Sequence, residues 1–352
     1  MTETENRLLS VVEHWLPRIE VAGVPSPTAR AIIDKAGTWD NWLKTWEEEG
    51  DRHQKMGDEA LKLGRALTAG EAFSRASLLY HFGQFMAFDD LAAKQAVAQK
   101  KVDVFARALP LLDPPGKIVS IPYGEGFLKA SLRYPSKSGE HPLALIIPGS
   151  DSTKEEFSAF EKHFLSRRIA TLSLDGPGQG EGRSFGPLQA DISLAIEAAL
   201  AAVVDDERLN RQRGLVGMAF GGNLALRAAS AAGVSAVVSI NGFFDLSNFW
   251  SVLPKVYHDN MKYSLGSEEP FEKAKLFTLK DTSPLSIPAL IVHGGKDRIF
   301  PPSEAEKSMT IAGPDSVLEV FPEGNHVCNN ISWKYRPLVA DWLAEKFKAS
   351  RH

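Results

Sequence analysis

Leu215-Val216-Gly217-Met218-Ala219-Phe220-Gly221-Gly222-Asn223-Leu224 is the stretch that decides the fold. An apolar strand enters a turn of small residues, and a helix over Asn223–Ala232 leaves it. That is the setting of a nucleophile elbow, G-x-S-x-G, where a strained strand-to-helix turn lifts a nucleophile above a sheet. Here the pattern reads Gly217-Met218-Ala219-Phe220-Gly221, with Ala219 in the nucleophile slot. Taken alone, the motif is weak, because glycine-rich strand–helix turns are common. Its partners decide its meaning.

After a later strand comes His293-Gly294-Gly295-Lys296-Asp297-Arg298-Ile299, with Asp297 leaving the strand end on a turn. After the next comes Pro322-Glu323-Gly324-Asn325-His326. The order nucleophile, acid, histidine is the one expected of α/β-hydrolases. Asp297 stands 78 residues beyond Ala219 and His326 stands 29 beyond Asp297, room for an insertion and then for one helix and one strand. The residue types follow from the chemistry. A serine hydroxyl attacks only when an imidazole takes its proton, and the imidazole needs a carboxylate to fix its tautomer. The anionic intermediate needs two aimed N–H donors. The backbone amide of Phe220 is one candidate. Ser150, in the loop Pro148-Gly149-Ser150-Asp151-Ser152 after an earlier strand, is the other.

Outward from this centre the chain divides near residue 113. Before it, Leu8, Val12, Trp15 and Leu16 recur at helix spacing, and Thr38 to Leu112 is rich in Ala, Leu, Glu and Lys with isolated glycines. This predicts an all-helical domain over 1–112. Asp113-Pro114-Pro115-Gly116 breaks it. Ile118–Tyr123 and Leu128–Tyr134 then alternate like antiparallel strands. Short apolar runs follow at Leu143–Ile147, Ile169–Leu174, Gly214–Gly217, Ala236–Ile240, Pro288–His293 and Val317–Phe321, separated by helical stretches. The expected fold class for 113–352 is α/β, a doubly wound, mostly parallel sheet with function at the strands' carboxyl ends. Residues 243–284 interrupt the rhythm with Phe243, Phe249 and Trp250. They are expected to form a lid or pocket wall, the plainer reading being a peripheral helical pair. A further turn, Asp175-Gly176-Pro177-Gly178-Gln179-Gly180, ends a strand on the same edge.

With 352 residues, 43% hydrophobic, 24% charged and a net charge of -4, no block of like charge points to nucleic acid or an anionic membrane as partner. The N-terminus does not read as a signal peptide, and no run of about 18 apolar residues suggests a bilayer span. The single cysteine, Cys328, excludes an internal disulfide and fits a reducing, cytoplasmic setting. No cofactor or metal is indicated by residue spacing.

Plainer readings compete at each site. Any one of nine histidines is often a satisfied surface group, yet the place of His326 after the final strand favours catalysis. Asp297 alone would be a turn former. His293 reads as packed, His53 as surface, and Cys328 as a small buried residue with no elbow around it. His81, in Tyr80-His81-Phe82-Gly83, is a packing residue or, if the helical domain caps the site, a pocket residue. A correctly spaced acid, histidine and loop beside Ala219 favour a serine deliberately exchanged for alanine over an idle natural relative. The chain as written is then nearly inactive.

Together these pieces resemble the α/β-hydrolase branch that includes the 2,6-dihydroxypseudooxynicotine hydrolase of nicotine breakdown and the fungal polyketide-shortening hydrolases. The resemblance rests on the helical domain with Tyr80-His81-Phe82-Gly83, the Leu112-Asp113-Pro114-Pro115 junction, Gly149-Ser150-Asp151-Ser152-Thr153-Lys154-Glu155 and the Asp175–Gly180 turn. It implies hydrolysis of a carbon–carbon bond beside a ketone in a small, aromatic or polyketide-like substrate. It also implies a helical domain that covers the site and builds a homodimer. An assisting acid is implied after the third core strand, where Asp151 stands, one methylene shorter than the glutamate of the nicotine enzyme. A carboxylesterase or lactonase of the same fold and a non-catalytic ligand-binding relative are the competing readings. The triad does not separate ester from ketone.

Overall fold

The computed structural model describes residues 3–135, 138–230 and 233–349. It forms two compact units: Met1–Ile118 with Glu155–Phe160, and Val119–Lys154 with Glu161–His352.

The first unit is helical: α1 (Glu3–Ala22), α2 (Ser26–Ala36), α3 (Trp42–Lys62), α4 (Ala66–Gln84) and α5 (Leu91–Ala108). Local chemistry sets the ends. Pro27 sits in the first turn of α2, where a missing N–H costs nothing, and Gly37 ends that helix at φ 64°. Asp90 caps α5 by accepting the Ala93 N–H at 2.9 Å. Phe73, Ala76, Tyr80, Val97, Val104 and Ala108 make the core of α4 and α5. Two of the isolated glycines of the sequence are contact points. A Cβ at Gly50 would stand 2.4 Å from the Tyr80 ring, and one at Gly57 2.3 Å from Phe73. His53, expected at the surface, is instead buried in α3, 3.5 Å from Glu49. Burial pushes its imidazole below its ordinary value.

Buried ion pairs hold the 155–160 segment in this unit. Arg18 meets Glu156 through two bonds of 2.6 and 2.8 Å, and Lys101 meets Glu155 at 3.0 Å. Burial alone would raise the Glu156 carboxyl, but the Arg18 guanidinium and the His81 bond hold it well below the usual range.

The second unit carries an eight-stranded sheet in the order β1-β2-β4-β3-β5-β6-β7-β8. The strands are β1 (Gly116–Tyr123), β2 (Gly126–Arg133), β3 (His141–Ile147), β4 (Ala170–Asp175), β5 (Leu209–Met218), β6 (Val234–Ile240), β7 (Ala289–Gly294) and β8 (Val317–Phe321). β2 pairs antiparallel with β4, and every pairing from β4 to β8 is parallel. All six residues of β4 and of β7 are buried, as strands covered on both faces require. The remaining helices are α6 (Ser158–Leu165), α7 (Ser193–Ala201), α8 (Phe220–Ala228), α9 (Lys255–Leu265), α10 (Pro270–Ala274), α11 (Pro302–Ser308) and α12 (Ser332–Ala349). Among the described residues, no helix is long and apolar enough to cross a membrane.

Two boundaries differ from expectation. β5 starts at Leu209, five residues before the apolar run, because Asn210–Gln212 lie in its partly exposed first half. The helix after the elbow begins at Phe220 rather than Asn223 and ends at Ala228; Ala231 and Ala232 lie outside the described residues. Gly221 and Gly222, poor helix formers, belong to its first turn because the backbone packs closely there. A Cβ on Gly221 would stand 2.2 Å from the Ile147 carbonyl oxygen. The 243–284 segment folds as a 3₁₀ stretch, Leu246–Val252, followed by α9 and α10.

Candidate active site

Ala219 follows β5 and caps α8 at φ 52° and ψ −116°. Its N–H donates to Ile240 O at 2.8 Å, and its carbonyl accepts the Gly222 N–H at 2.9 Å, so the turn is held at both ends. A side chain at this φ costs on the order of 1–3 kcal/mol. Ala219→Gly is therefore expected to stabilise the fold by about 1 kcal/mol in urea unfolding; a lower midpoint would contradict the strain.

The acid and the histidine meet. His326 Nδ1 lies 2.8 Å from Asp297 Oδ2. The other carboxylate oxygen accepts the N–H groups of Ile299 at 2.8 Å and Phe300 at 3.0 Å. Burial raises the Asp297 carboxyl, but the His326 charge and its hydrogen bond, with smaller help from His293 and Asn241, outweigh that and leave it below its ordinary value. The loop carrying His326 folds back across the sheet edge. Lys296 N–H donates to Gly324 O at 2.8 Å, and Asn241, the residue after β6, donates to Asn325 O at 3.4 Å. β6 is the neighbour of β5, so the histidine loop reaches toward the elbow's side of the edge.

Asn241 is a member that sequence reading missed. It is fully buried at φ 47° and donates from Nδ2 to Asp297 Oδ2 at 2.8 Å. Phe300 is another: its ring stands edge-on to His326, 5.0 Å between centroids and 87° between planes. The signal for each was faint, a polar residue just past a strand end and an aromatic three places after the acid.

The β3 loop lies against the elbow. A Cβ added to Gly149 would stand 3.6 Å from the Ala219 Cβ and 4.0 Å from the Phe220 nitrogen. Phe220 opens α8, so its N–H belongs to the first turn, where no intrahelical acceptor exists. Ser150 is half-buried and held by α9: Asn260 Nδ2 donates to its hydroxyl at 2.9 Å, and Ser264 Oγ to its carbonyl at 3.3 Å. Asp151 is the next residue of that loop and is also half-buried. The neighbouring carboxylates Asp175 and Glu181 both close on Lys154 Nζ, at 2.9 and 2.6 Å.

The other expected site residues make packing contacts. Phe243 is fully buried, with ring contacts to Phe220 at 5.0 Å and Phe300 at 5.0 Å, so it is core packing beneath the edge and not a ligand-facing wall. Phe249 is buried in the same cluster. Trp250 is half-buried and packs on His258 and Phe271. His81 corrects the pocket expectation. Its side chain is 0% exposed, so no part of the ring is open to a ligand; it sits 3.3 Å from Glu156 between Phe82 and Phe85. Burial lowers its basicity. His293 is likewise buried, its Nε2 3.0 Å from Phe300 O.

Cys328 is buried, and burial, followed by the nearby Asp297 charge, pushes its thiol up to about 12. A thiolate nucleophile does not fit that environment. Iodoacetamide at neutral pH is expected to leave Cys328 unmodified in the folded protein and to label it in urea, read by intact mass. Stoichiometric labelling before unfolding would contradict the burial.

Known proteins share this architecture. Residues 32–285 match the family described as Esterase FrsA-like. The 2,6-dihydropseudooxynicotine hydrolase of Paenarthrobacter nicotinovorans is 28% identical over 328 residues, covering 88% of this chain and 86% of that protein. The crystal structure of the 2,6-dihydroxy-pseudo-oxynicotine hydrolase superposes with a TM-score of 0.86 at 26% identity, covering 95% of this chain and 96% of that one. An α/β hydrolase of Acremonium sp is 32% identical over 225 residues, 59% of this chain and 52% of its own length, so the chain spans about half of that fungal relative. With the family match running through most of the helical unit and the elbow, the chain belongs to the FrsA-like esterase family.

Proposed function

We propose that the active form of this protein carries serine at position 219 and hydrolyses a carbon–carbon bond beside a ketone in a small, aromatic or polyketide-like substrate. The observation that carries the reading is the 2.8 Å His326–Asp297 contact on the sheet edge where the elbow ends. In the serine form the hydroxyl introduced by Ala219→Ser adds to the carbonyl while His326 Nε2 takes its proton, and Asp297 steadies the imidazolium. The oxyanion rests on the Phe220 and Ser150 amides. Collapse breaks the bond to the adjacent carbon; a second carbonyl or electron-poor ring on that carbon takes up the electron pair, and the enolate-type leaving group takes the proton from His326, with Asp151 as an assisting acid. Water, deprotonated by His326, then releases the acyl group. With Ala219 in place no such attack occurs, and this chain binds substrate while turning it over scarcely at all.

The helical unit serves in this reading as a cap and dimerisation domain, and 243–284 as a lid, so the working form is a homodimer. The single cysteine supports a reducing, cytoplasmic setting. The relatives named as hydrolases, one of them of a pseudooxynicotine, support hydrolysis of a small molecule. The family's description as esterases favours a second reading, an esterase or lactonase. Ala219→Ser offered a β-diketone and its matched ester separates them: acid plus ketone identifies the first reaction, acid plus alcohol the second. Tight binding with neither product identifies a ligand-binding relative.

A further inference from the structure

The Asp175–Gly180 turn has a feature that the triad does not use: the side chain of Gln179. It is 2% exposed, and all its polar atoms point at backbone. Nε2 donates to Pro148 O at 2.6 Å and to Gly149 O at 3.0 Å, and Oε1 accepts the Gly176 N–H at 3.3 Å. With two carbonyls at one end and an N–H at the other, the amide has only one orientation that satisfies both.

The Gly149 carbonyl and the Ser150 N–H belong to one planar trans peptide, so fixing the first aims the second in the opposite direction. This peptide needs fixing. Gly149 has no Cβ, and its backbone can rotate at little cost. The residue lies against the elbow, where a Cβ on it would stand 3.6 Å from the Ala219 Cβ, so a rotation of this peptide changes which of its polar atoms faces that side. The following peptide is held from the other side, because Ser264 Oγ donates to Ser150 O at 3.3 Å and Asn260 to Ser150 Oγ at 2.9 Å.

We infer that Gln179 is a positioning residue: by pinning the Gly149 carbonyl it aims the Ser150 N–H at the oxyanion of the reaction. The inference rests on the reading of position 219 as the nucleophile. It assigns the glutamine of the D-G-P-G-Q-G turn a role through another group's donor, without contact to substrate.

Gln179→Glu keeps the length and the acceptor for Gly176 but removes both donors; Gln179→Met removes all polar contacts. In an Ala219→Ser background, both are expected to lower kcat by about 10–100-fold, a share of the loss from deleting an oxyanion donor outright. KM should stay within about threefold, because the ground-state carbonyl leans less on that donor than the oxyanion does. Affinity for a boronic acid that forms a tetrahedral adduct should fall in step with kcat. A merely structural role would lower the melting temperature and leave kcat and boronate affinity within about threefold, and that result overturns the inference. A second measurement uses no turnover. A crystal structure of Gln179→Met in the chain as it stands should show the Gly149–Ser150 peptide rotated, and an unmoved peptide overturns the inference. If Ala219→Ser cleaves nothing, the functional reading has failed, and the peptide's orientation alone decides the positioning claim.

Discussion

Ala219→Ser is expected to raise turnover of a cleavable ketone or ester by about 10⁵–10⁶-fold, since deleting the nucleophile of a comparable triad costs on the order of 10⁶ in kcat. The remaining parts do not need to be built. The backbone of residue 219 already has the strained φ of 52° that lifts a side chain off the sheet, and its N–H and carbonyl are tied to Ile240 and Gly222. The histidine already has its carboxylate at 2.8 Å. One oxygen is added to a side chain that is only half-buried, so unfolding free energy should change by less than about 1 kcal/mol. KM should approach the dissociation constant that the alanine form shows for the same compound. A serine variant that folds, binds and still fails to turn over would remove the hydrolase reading.

Asp297→Asn in that background carries the second largest effect, a fall in kcat of about 10⁴-fold with the fold intact. Two backbone N–H groups, from Ile299 and Phe300, demand an acceptor at Oδ1. Asparagine keeps its carbonyl oxygen there, which leaves its NH₂ facing the His326 Nδ1 and Asn241 Nδ2 positions where Oδ2 accepted both. A donor then faces Nδ1, so the imidazole is held in the wrong tautomer to take a proton through Nε2. Stability follows the sign of the shift. The folded Asp297 carboxyl lies below its ordinary value of 3.8, so the unfolded state binds its proton first as pH falls. Its contribution is fully present above the unfolded value and is lost as pH drops through the folded one. Urea midpoints between about pH 6 and pH 3 should therefore fall more steeply for the parent than for Asp297→Asn. Parallel slopes would contradict the assignment of that carboxylate.

The sheet was legible because strands buried on both faces must be apolar along their length. Val317–Phe321 is β8 to the residue, and most other core strands lie within two residues of their apolar runs. β5 escaped that logic in its first half, where Asn210, Arg211 and Gln212 leave no apolar trace of a strand. The pairing of Asp297 with His326 was legible because each follows the end of a strand whose neighbours could be ordered. Asn241 was not, since its role depends on a carboxylate 56 residues away. For His81 the packing reading held and the pocket alternative did not: Glu156, the partner that buries the imidazole, stands 75 residues on and leaves no local sign. Gln179 had the same fate. A turn motif announces its bend, while the carbonyls that its amide holds belong to the loop after the neighbouring strand, β3.

Fluorophosphonate labelling followed by peptide mass spectrometry reads the nucleophile at position 219 itself. No adduct is expected on the parent chain, and one adduct is expected on Ala219→Ser, located at residue 219 and lost when His326→Ala is added. An Ala219→Ser protein that folds and stays unlabelled at 219, or that is labelled there equally without His326, would contradict the assignment of that nucleophile.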